Sequence, residues 1–292
     1  MSDFDGTLAP IVPDPMAARI EPGARSALRR LAGFAHIHPE RLSLVVLSGR
    51  TAPDVARRVR VGGIRYLGNH GLETGVLRRG DPAERLRLTP DPTLALAADP
   101  DEAAAFAAAV SRFGAAVRDR LGRPPWLFVE EKGPAVAFHF RQADDPGAAR
   151  ATVLAALDEI ERDGPPRDGP PIPPLERLEG RQVVELRPAG AGGKGAAMVR
   201  LIAAERPAAI LSIGDDVSDA EAFRAVIAAR EAIPPPGRQA TRGLVIAVHG
   251  LAETPAEILA SADLLVAAPR DAARALGELA RVLIGEPAPP DS

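Results

Sequence analysis

The chain reads AAILSIGDDVSD over residues 208–219, an apolar run that ends in a glycine and three closely spaced aspartates. A short apolar run such as Ala208–Ile213 predicts a buried strand. In an open α/β sheet, ligands bind beyond the carboxyl ends of the strands, where Asp215, Asp216 and Asp219 would lie. Carboxylates packed so closely repel one another unless a hard cation or hydrogen-bond donors hold them, and magnesium fits that requirement. The alternative is an acidic helix N-terminus, where carboxylates are favourable without a metal.

The same pattern occurs elsewhere along the chain. Apolar runs over Leu42–Leu47, Ile64–Leu67 and Leu244–Val248 each end in glycine and polar residues, and Glu21–Leu31 has the pattern of a helix. Strands that alternate with helical segments rich in alanine, arginine and leucine are typical of a parallel sheet between helices. We therefore predict a doubly wound, Rossmann-like α/β core whose strand ends bring their polar loops together.

The middle third of the chain has a different organisation. It contains two predicted helices, Asp101–Leu121 and Ala148–Arg162, and three predicted strands. The first two strands, Trp126–Glu131 and Ala135–Arg141, form an antiparallel hairpin between the helices, and the third is Gln182–Arg187. Strands and helices in this order, without βαβ alternation, predict an α+β unit. This unit would be inserted into the parallel-sheet core.

The resulting domain prediction has three parts. We expect a core of residues 1–78 and 189–285, an inserted α+β cap of residues 79–188, and a frayed tail of residues 286–292. Proline-rich loops are predicted at Gly164–Pro174 and Pro234–Gly237.

The composition excludes several classes of protein. The 292 residues include no cysteine, which excludes a disulfide framework and a thiolate metal site. The formal net charge is −3 and only 3% of the residues are aromatic, and both values argue against a nucleic-acid-binding surface. No apolar run approaches the roughly 20 residues of a membrane span, and the N-terminus has no signal-peptide pattern. We therefore expect a soluble, cytoplasmic monomer without a nucleic-acid or membrane partner.

Two carboxylates lie close together near the N-terminus, in the sequence Asp3-Phe4-Asp5-Gly6-Thr7. In an extended segment, side chains two residues apart project to the same side, and a glycine after them lets the chain turn sharply. Such a pair can divide catalytic work, because one carboxylate attacks as a nucleophile or binds metal while the other moves protons. A turn or a helix cap is the alternative for this pattern.

Lys194 lies in the Gly-rich segment Gly192–Gly195, at the start of a predicted helix. A lysine there suits a phosphate group, through its charge and through the free N–H groups of the helix start. Lys132 is the only other lysine of the chain. Ser48, at the end of a predicted strand, offers a hydroxyl to a phosphoryl oxygen beside the N–H of Gly49. The alternatives are a solvated surface lysine and an ordinary serine cap.

The order of these four segments, Asp-x-Asp-Gly-Thr, Ser, Lys and Gly-Asp-Asp-x-x-Asp, resembles that of the haloacid dehalogenase-like (HAD) phosphohydrolases. Further motifs are similar to one branch, the trehalose-6-phosphate phosphatases: Gly-Asn-His-Gly-Leu-Glu at Gly68–Glu73, a Glu-x-Lys…His-x-Arg pattern within Glu130–Arg141, and Val184-Glu185-Leu186-Arg187 before Lys194. The similarity extends from Asp3 to about Leu283. It implies an HAD core with an inserted cap, the architecture that the strand and helix pattern also predicts.

The resemblance also implies an activity and its residues. It implies a Mg²⁺-dependent phosphatase that hydrolyses a small phosphosugar, most closely trehalose 6-phosphate in trehalose biosynthesis, through an aspartyl-phosphate. The implied catalytic residues are Asp3 as nucleophile, Asp5 as proton donor and acceptor, and Ser48 and Lys194 around the phosphate. The implied metal ligands are Asp3, Asp5 through its carbonyl, Asp215 and Asp216, with Asp219 and Thr7 supporting them. The implied substrate contacts are Gly49, Arg50, Asn69, His70, Glu130, Lys132, His139, Arg141 and Glu185.

Three alternatives stay open from the sequence. One is a phosphatase of another phosphosugar, such as sucrose phosphate or mannosylglycerate phosphate. Another is a phosphosugar-binding protein with impaired catalysis, because only Met1 and Ser2 precede Asp3, whereas a central strand has roughly five residues. In that case Asp3 would lack the backbone pairing that catalysis requires. For the cap hairpin, a solvated face with cross-strand charge pairs is the third alternative.

Overall fold

The computed structural model describes residues 1–89, 100–163, 174–180, 182–189, 192–250 and 254–287, with the side chains of residues 100–106 excepted. The chain divides into two compact units. The first unit comprises Met1–Pro90 and Gly192–Ser292, and the second comprises Asp91–Ala191. The second unit is thus an insertion between two halves of the first.

Helices and strands are labelled in chain order within the described residues. The helices are α1 (Pro22–Ile37), α2 (Ala52–Val59), α3 (Pro100–Arg120), α4 (Pro146–Asp163), α5 (Lys194–Glu205), α6 (Val217–Glu231), α7 (Ala256–Ser261) and α8 (Pro269–Ile284). The strands are β1 (Val45–Leu47), β2 (Ile64–Gly68), β3 (Glu73–Leu77), β4 (Arg87–Thr89), β5 (Phe128–Glu131), β6 (Val136–His139), β7 (Leu175–Gly180), β8 (Val183–Pro188), β9 (Ala209–Gly214), β10 (Arg242–Val248) and β11 (Leu264–Val266).

The first unit is built around a sheet in two parts, with strand orders β4-β3-β2-β1 and β9-β10-β11. The N-terminal segment joins them, because Ser2 forms parallel bridges with Val46 of β1 and Ile213 of β9. The pairs β1–β2, β9–β10 and β10–β11 are parallel, whereas β3 and β4 pair antiparallel at one edge. Parallel neighbours need crossover connections, which the helices supply.

The backbone of Met1–Asp3 occupies the central position of this sheet. On one side, the N–H of Ser2 donates to the carbonyl of Val45 and the N–H of Leu47 donates to that of Ser2, both at 3.0 Å. On the other side, the N–H of Asp3 donates to Ile213 at 3.0 Å and the N–H of Ile213 donates to Met1 at 3.1 Å. These bonds contradict the alternative in which Asp3 lacks backbone pairing.

Helices pack on both faces of this sheet. Alternate residues of a strand point to opposite faces. In β10, Ile246 and Val248 belong to an apolar cluster with residues of α1, α2 and α8, whereas Val245 and Ala247 belong to another with residues of α6 and with Met198 of α5. The predicted doubly wound parallel-sheet core is confirmed.

The second unit contains an antiparallel sheet with the strand order β5-β6-β8-β7. One face packs against α3 and α4 in a buried cluster that includes Phe113, Phe138, Leu157 and Leu186. Because successive side chains of a strand alternate, the residues between those core positions lie on the opposite face. This unit has the α+β organisation predicted for the insertion.

Several boundaries differ from the predicted ones. Helix α1 continues beyond Leu31 to Ile37, because Phe34 adds a further buried position. Residues up to Thr89 belong to the first unit, because β3 pairs with both β2 and β4, whereas we expected the insertion to begin at residue 79. The hairpin partner β7 lies in a segment for which no strand was predicted.

The structure describes only some of the predicted loops and tail. The proline-rich segment at 234–237 is a loop, as predicted. Residues 164–173 of the other predicted loop, and residues 288–292 of the predicted frayed tail, lie outside the described residues. No helix in the described ranges is long and apolar enough to cross a membrane.

Candidate active site

Three buried charges meet at the end of the central segment of the sheet. The Nζ atom of Lys194 lies 2.6 Å from Oδ1 of Asp3 and 2.9 Å from Oδ1 of Asp219. None of the three residues is more than 4% exposed. Asp3 ends the N-terminal segment, Lys194 begins α5, and Asp219 lies in the first turn of α6. The sheet thus brings three distant parts of the chain to one point.

Asp215, which directly follows β9, lies against the turn formed by Gly6 and Thr7. The hydroxyl of Thr7 donates to Oδ1 of Asp215 at 2.9 Å. Gly6 has a φ of +83°, and a Cβ atom built on it would lie 1.9 Å from Oδ2 of Asp215. Position 6 therefore requires glycine for two reasons, its left-handed backbone and the close approach of the Asp215 carboxylate.

Asp3, Asp215 and Asp219 form the carboxylate cluster, in which one oxygen atom of each residue lies within 4.8 Å of the others. We expected Asp216 rather than Asp219 among the metal ligands. The structure instead places the exposed side chain of Asp216 at the N-cap of α6, where it accepts a hydrogen bond from the N–H of Val217 at 2.7 Å. An N-cap side chain folds back onto its own helix, which explains why it leaves the cluster.

Asp219 also organises the loop that carries the other two aspartates. Its Oδ1 atom accepts from Lys194, while its Oδ2 atom accepts from the N–H groups of Asp215 and Asp216, both at 3.2 Å. One carboxylate thus fixes both the ammonium and the backbone before α6. The prediction that Asp219 supports the other ligands agrees with these contacts, although its side chain also joins the cluster.

Burial and mutual repulsion make the ionised forms of two carboxylates in the cluster unfavourable. Burial raises the pKa of the Asp3 carboxyl to about 7, although the ammonium of Lys194 acts in the opposite direction. Burial also raises the pKa of Asp215 well above its ordinary value, and the charges of Asp3 and Asp219 add to that effect. Burial by itself lowers the pKa of Lys194, but the charges of Asp219 and Asp3 outweigh it and hold this pKa above its ordinary value.

A divalent cation fits this donor set. The carboxylate cluster offers hard oxygen ligands, which Mg²⁺ prefers. Three carboxylates meet one ammonium in the cluster, and burial disfavours the ionised form of Asp3 and Asp215, so a bound cation would offset both the charge and the cost of burial. The geometry therefore supports a cation held by Asp3, Asp215 and Asp219.

Asp5 is held by Arg50 in a two-point contact. Nε of Arg50 donates to Oδ2 of Asp5 at 2.6 Å, and Nη2 donates to Oδ1 at 2.8 Å. The same guanidinium donates to Oδ2 of Asp54 at 3.0 Å and to the carbonyl of Pro15 at 2.8 Å. We expected Arg50 to contact substrate. The structure shows its guanidinium bound to two carboxylates and a carbonyl, which suits it to orient Asp5 instead.

Asp54 and Arg58 extend this contact, and neither of them was predicted from the sequence. Nε of Arg58 donates to Oδ2 of Asp54 at 2.8 Å, and Nη1 donates to the carbonyls of Met16 and Ala18 at 3.0 and 2.9 Å. Arg50, Asp54 and Arg58 follow one another at intervals of four residues along α2 and its approach. Residues at this spacing are neighbours on a helix, so the signal was present in the sequence.

Ser48, Gly49, Asn69 and His70 lie together at the ends of β1 and β2. The Oγ atom of Ser48 accepts from the N–H of Arg50 at 3.2 Å, and the carbonyl of Ser48 accepts from the N–H of His70 at 2.9 Å. Asn69 and His70 both have a left-handed backbone, with φ of 48° and 57°. The His70 ring covers Gly49, since a Cβ there would lie 2.9 Å from its Cε1 and Nε2 atoms.

The second unit carries its own polar network, on the sheet face opposite the helices. Nζ of Lys132 donates to Oε2 of Glu185 at 2.7 Å and lies 4.0 Å from Oε2 of Glu130. Nε2 of His139 lies 2.9 Å from the same Glu130 oxygen. The structure therefore brings together four of the five cap residues named from the sequence, and the fifth, Arg141, follows β6 in a partly buried position.

The family model described as trehalose-phosphatase matches residues 1–239. A trehalose-phosphate phosphatase of Mycobacterium marinum is 38% identical over 232 residues, which cover 77% of this chain and 50% of that relative. One of Mycobacterium bovis is 34% identical over 231 residues, with the same coverage. The chain thus spans about half the length of the curated relatives it matches.

A solved structure described as the C-terminal domain of C. albicans trehalose-6-phosphate phosphatase has a similar fold. Its TM-score is 0.66 at 20% identity, and the match covers 96% of this chain and 90% of that one. The fold, the match of the family model and the sequence identity agree. The chain belongs to the trehalose-phosphatase family.

Proposed function

We propose that this chain is a Mg²⁺-dependent phosphomonoesterase that hydrolyses trehalose 6-phosphate to trehalose and phosphate. The observation that carries the proposal is the buried contact of Lys194 with Asp3 and Asp219, beside Asp215. A carboxylate held in one orientation next to a fixed positive charge suits nucleophilic attack on a phosphate. Membership of the trehalose-phosphatase family supports the choice of substrate.

Asp3 is the nucleophile of the first step. Its Oδ1 atom accepts the hydrogen bond from Lys194, so we assign the attack on phosphorus to Oδ2. The new bond joins Oδ2 to phosphorus, and the bond from phosphorus to the sugar oxygen breaks. Asp5 gives its proton to the departing sugar oxygen, since an alkoxide is a poor leaving group without one.

Asp5 is also the base of the second step. It takes a proton from a water molecule, whose oxygen then attacks phosphorus and releases Asp3 and inorganic phosphate. Arg50 holds both carboxylate oxygens of Asp5, which supports a fixed orientation in both steps. One water is consumed in each cycle, and Asp5 ends protonated, as it began, with a proton taken from that water.

The remaining residues bind the phosphate. Lys194 and the hydroxyl of Ser48 stabilise the phosphoryl oxygens, because fixed donors are worth most where charge develops. When bound by Asp3, Asp215 and Asp219, Mg²⁺ supplies further positive charge for the phosphoryl group. The carbonyl of Asp5 remains a predicted ligand. Gly49, Asn69 and His70 remain predicted substrate contacts.

The polar network of the second unit binds the sugar in this proposal. Glu130, Lys132, His139 and Glu185 offer donors and acceptors to sugar hydroxyls, and they lie on one face of the sheet. Arg141 is proposed as a further contact. Sucrose phosphate and mannosylglycerate phosphate remain the alternative substrates, because the same polar groups suit any sugar with many hydroxyls.

The alternative of impaired catalysis rested on a poorly supported Asp3. The backbone bonds of Met1–Asp3 to β1 and β9 remove that objection and favour an active enzyme.

The test is the release of inorganic phosphate from trehalose 6-phosphate, with and without Mg²⁺, beside a panel of other sugar phosphates. We expect metal-dependent release that Asp3→Asn abolishes. A matched pair of variants tests which aspartates bind the metal. Asp219→Asn should lose activity, whereas Asp216→Asn should retain it, because asparagine also caps a helix. Release from no substrate by folded protein would overturn the proposal, and release from another phosphosugar alone would change only the substrate.

A further inference from the structure

Phe128, the first residue of β5, is unusually exposed for its type. Its side chain is 56% exposed, whereas the six other phenylalanines whose side chains are described are each 8% exposed or less. Within the described residues of the second unit, it is the one large apolar side chain that is exposed. Single exposed apolar side chains are common on protein surfaces, so the neighbours of Phe128 decide what its exposure means.

The register of the sheet sets Phe128 beside the polar network. Phe128 pairs with His139, which in turn pairs with Val183. The ring centroids of Phe128 and His139 are 5.7 Å apart and the planes are tilted by 33°. His139 also contacts Glu130 through Nε2 at 2.9 Å. The exposed ring therefore lies beside His139, at the edge of the polar network formed by Glu130, Lys132, His139 and Glu185.

A sugar ring has two kinds of surface that match this arrangement. Its hydroxyl groups need hydrogen-bond donors and acceptors, which the carboxylates, the ammonium and the imidazole supply. The C–H groups of a pyranose form an apolar patch on the ring face, which gains free energy when an aromatic face covers it. Small-molecule sites combine such apolar surfaces with a few placed polar groups.

We propose that Phe128 is a stacking platform for a pyranose ring of the substrate, next to the polar groups that bind its hydroxyls. The inference rests on the proposed function and extends it, because it assigns a specificity-determining residue outside the family motifs. Phe128 touches no reacting atom in this role. It acts on substrate binding and on the choice between sugars.

A purely structural role is the competing explanation. The ring could serve only to shield the His139–Glu130 contact from water. A large aliphatic side chain would shield that contact as well as a phenyl ring does, but it offers no flat face to a sugar. Phe128→Leu therefore separates the two roles, while Phe128→Tyr keeps the ring and Phe128→Ala removes both.

The experiment measures trehalose binding by saturation-transfer NMR and titration calorimetry, and KM and kcat with trehalose 6-phosphate, on the full chain. Leu88→Ala is the matched control, because Leu88 is 55% exposed in the first unit. Phe128→Ala should weaken trehalose binding and raise KM about tenfold, with kcat little changed. Leu88→Ala should behave as the unmodified chain, Phe128→Tyr should recover most of the binding that Phe128→Ala loses, and Phe128→Leu should recover little of it.

Each outcome decides the inference. Equal trehalose binding by the unmodified chain and Phe128→Ala, or full binding by Phe128→Leu, would overturn it, as would a chain that binds neither trehalose nor trehalose 6-phosphate. Phe128-dependent trehalose binding by a chain that releases no phosphate would support it while refuting the proposed function. Melting temperatures of all variants establish that each one is folded.

Discussion

The only two lysines of the chain both lie in buried contacts with carboxylates, one in each unit. Lys194 is 3% exposed and bridges Asp3 and Asp219, and Lys132 is 7% exposed and contacts Glu185. Their surroundings differ. Lys194 faces the cluster of three carboxylates, whereas Lys132 faces two, of which Glu130 also contacts a histidine that lies beside an exposed phenylalanine.

A buried lysine–carboxylate pair therefore does not by itself reveal its role. Excess negative charge creates a place for a cation and for a phosphoryl group beside it. A network of paired donors and acceptors on one sheet face suits a neutral, hydroxyl-rich ligand. Four predictions test whether the two lysines divide the work in this way.

The largest effect is expected for Lys194→Met. Loss of the ammonium should lower kcat by about 10³-fold, since it removes a fixed charge from the phosphoryl group. It should also lower the free energy of unfolding by about 3–5 kcal/mol, because two buried carboxylates lose their cation. Steady-state kinetics and urea denaturation measure the two effects. A variant with unchanged kcat would show that Lys194 has only a structural role.

Arg50→Ala should have the next largest effect. Without its two-point contact, Asp5 loses its orientation, and we expect kcat with trehalose 6-phosphate to fall by about 10²-fold. Arg50→Lys should recover little, because an ammonium cannot form the two-point contact.

A second substrate with a different leaving group distinguishes the orientation of Asp5 by Arg50 from a contact of Arg50 with the substrate. The loss should be smaller with p-nitrophenyl phosphate, whose leaving group needs no proton in the first step. An increase in KM with kcat unchanged would instead return Arg50 to the role of a substrate contact, which the sequence predicted.

Lys132→Met tests whether the lysine of the second unit acts on sugar binding. Glu185 would keep a buried charge without its lysine, and the sugar would lose a donor, so KM for trehalose 6-phosphate should rise about tenfold. Hydrolysis of p-nitrophenyl phosphate, which has no sugar, should remain as in the unmodified chain. Equal losses on both substrates would contradict a division of work between the two lysines.

The smallest effect concerns Mg²⁺ affinity and pH. Burial raises the pKa of Asp3 to about 7, from an ordinary value of about 4. Its ionised form is therefore disfavoured in the folded, metal-free chain, whose stability should fall as pH rises between these values. A cation binds the ionised form and displaces protons, so the stabilisation by Mg²⁺ should grow as pH rises through 7.

Melting temperatures at fixed Mg²⁺, from pH 5.5 to 8, measure this dependence. The chain with Asp3→Asn should lose most of it, and Asp216→Asn should keep it. A stabilisation by Mg²⁺ that is independent of pH would contradict a cation site at the carboxylate cluster.

Much of the site follows from the sequence because its motifs stand at strand ends. A short apolar run followed by glycine and aspartate predicts both the strand β9 and the place of Asp215. The resemblance to a known family also implied the four polar residues of the cap network. Glu130 and Lys132 fall on one face of their strand by spacing alone, whereas the pairing of β5 with β6 brings His139 to the same face.

The sequence alone thus determined the doubly wound core, its inserted α+β unit, and Asp3, Lys194 and Asp215 as members of one site, because periodicity and motif order are local properties. The tertiary structure decided which aspartate joins the cluster, since Asp216 turns back to cap α6 while Asp219 faces Lys194. Tertiary contacts also determine that Arg50 holds Asp5, that Met1–Asp3 pairs with β1 on one side and β9 on the other, and that Phe128 is exposed to solvent. These outcomes depend on contacts between residues far apart in the chain, which no local pattern encodes.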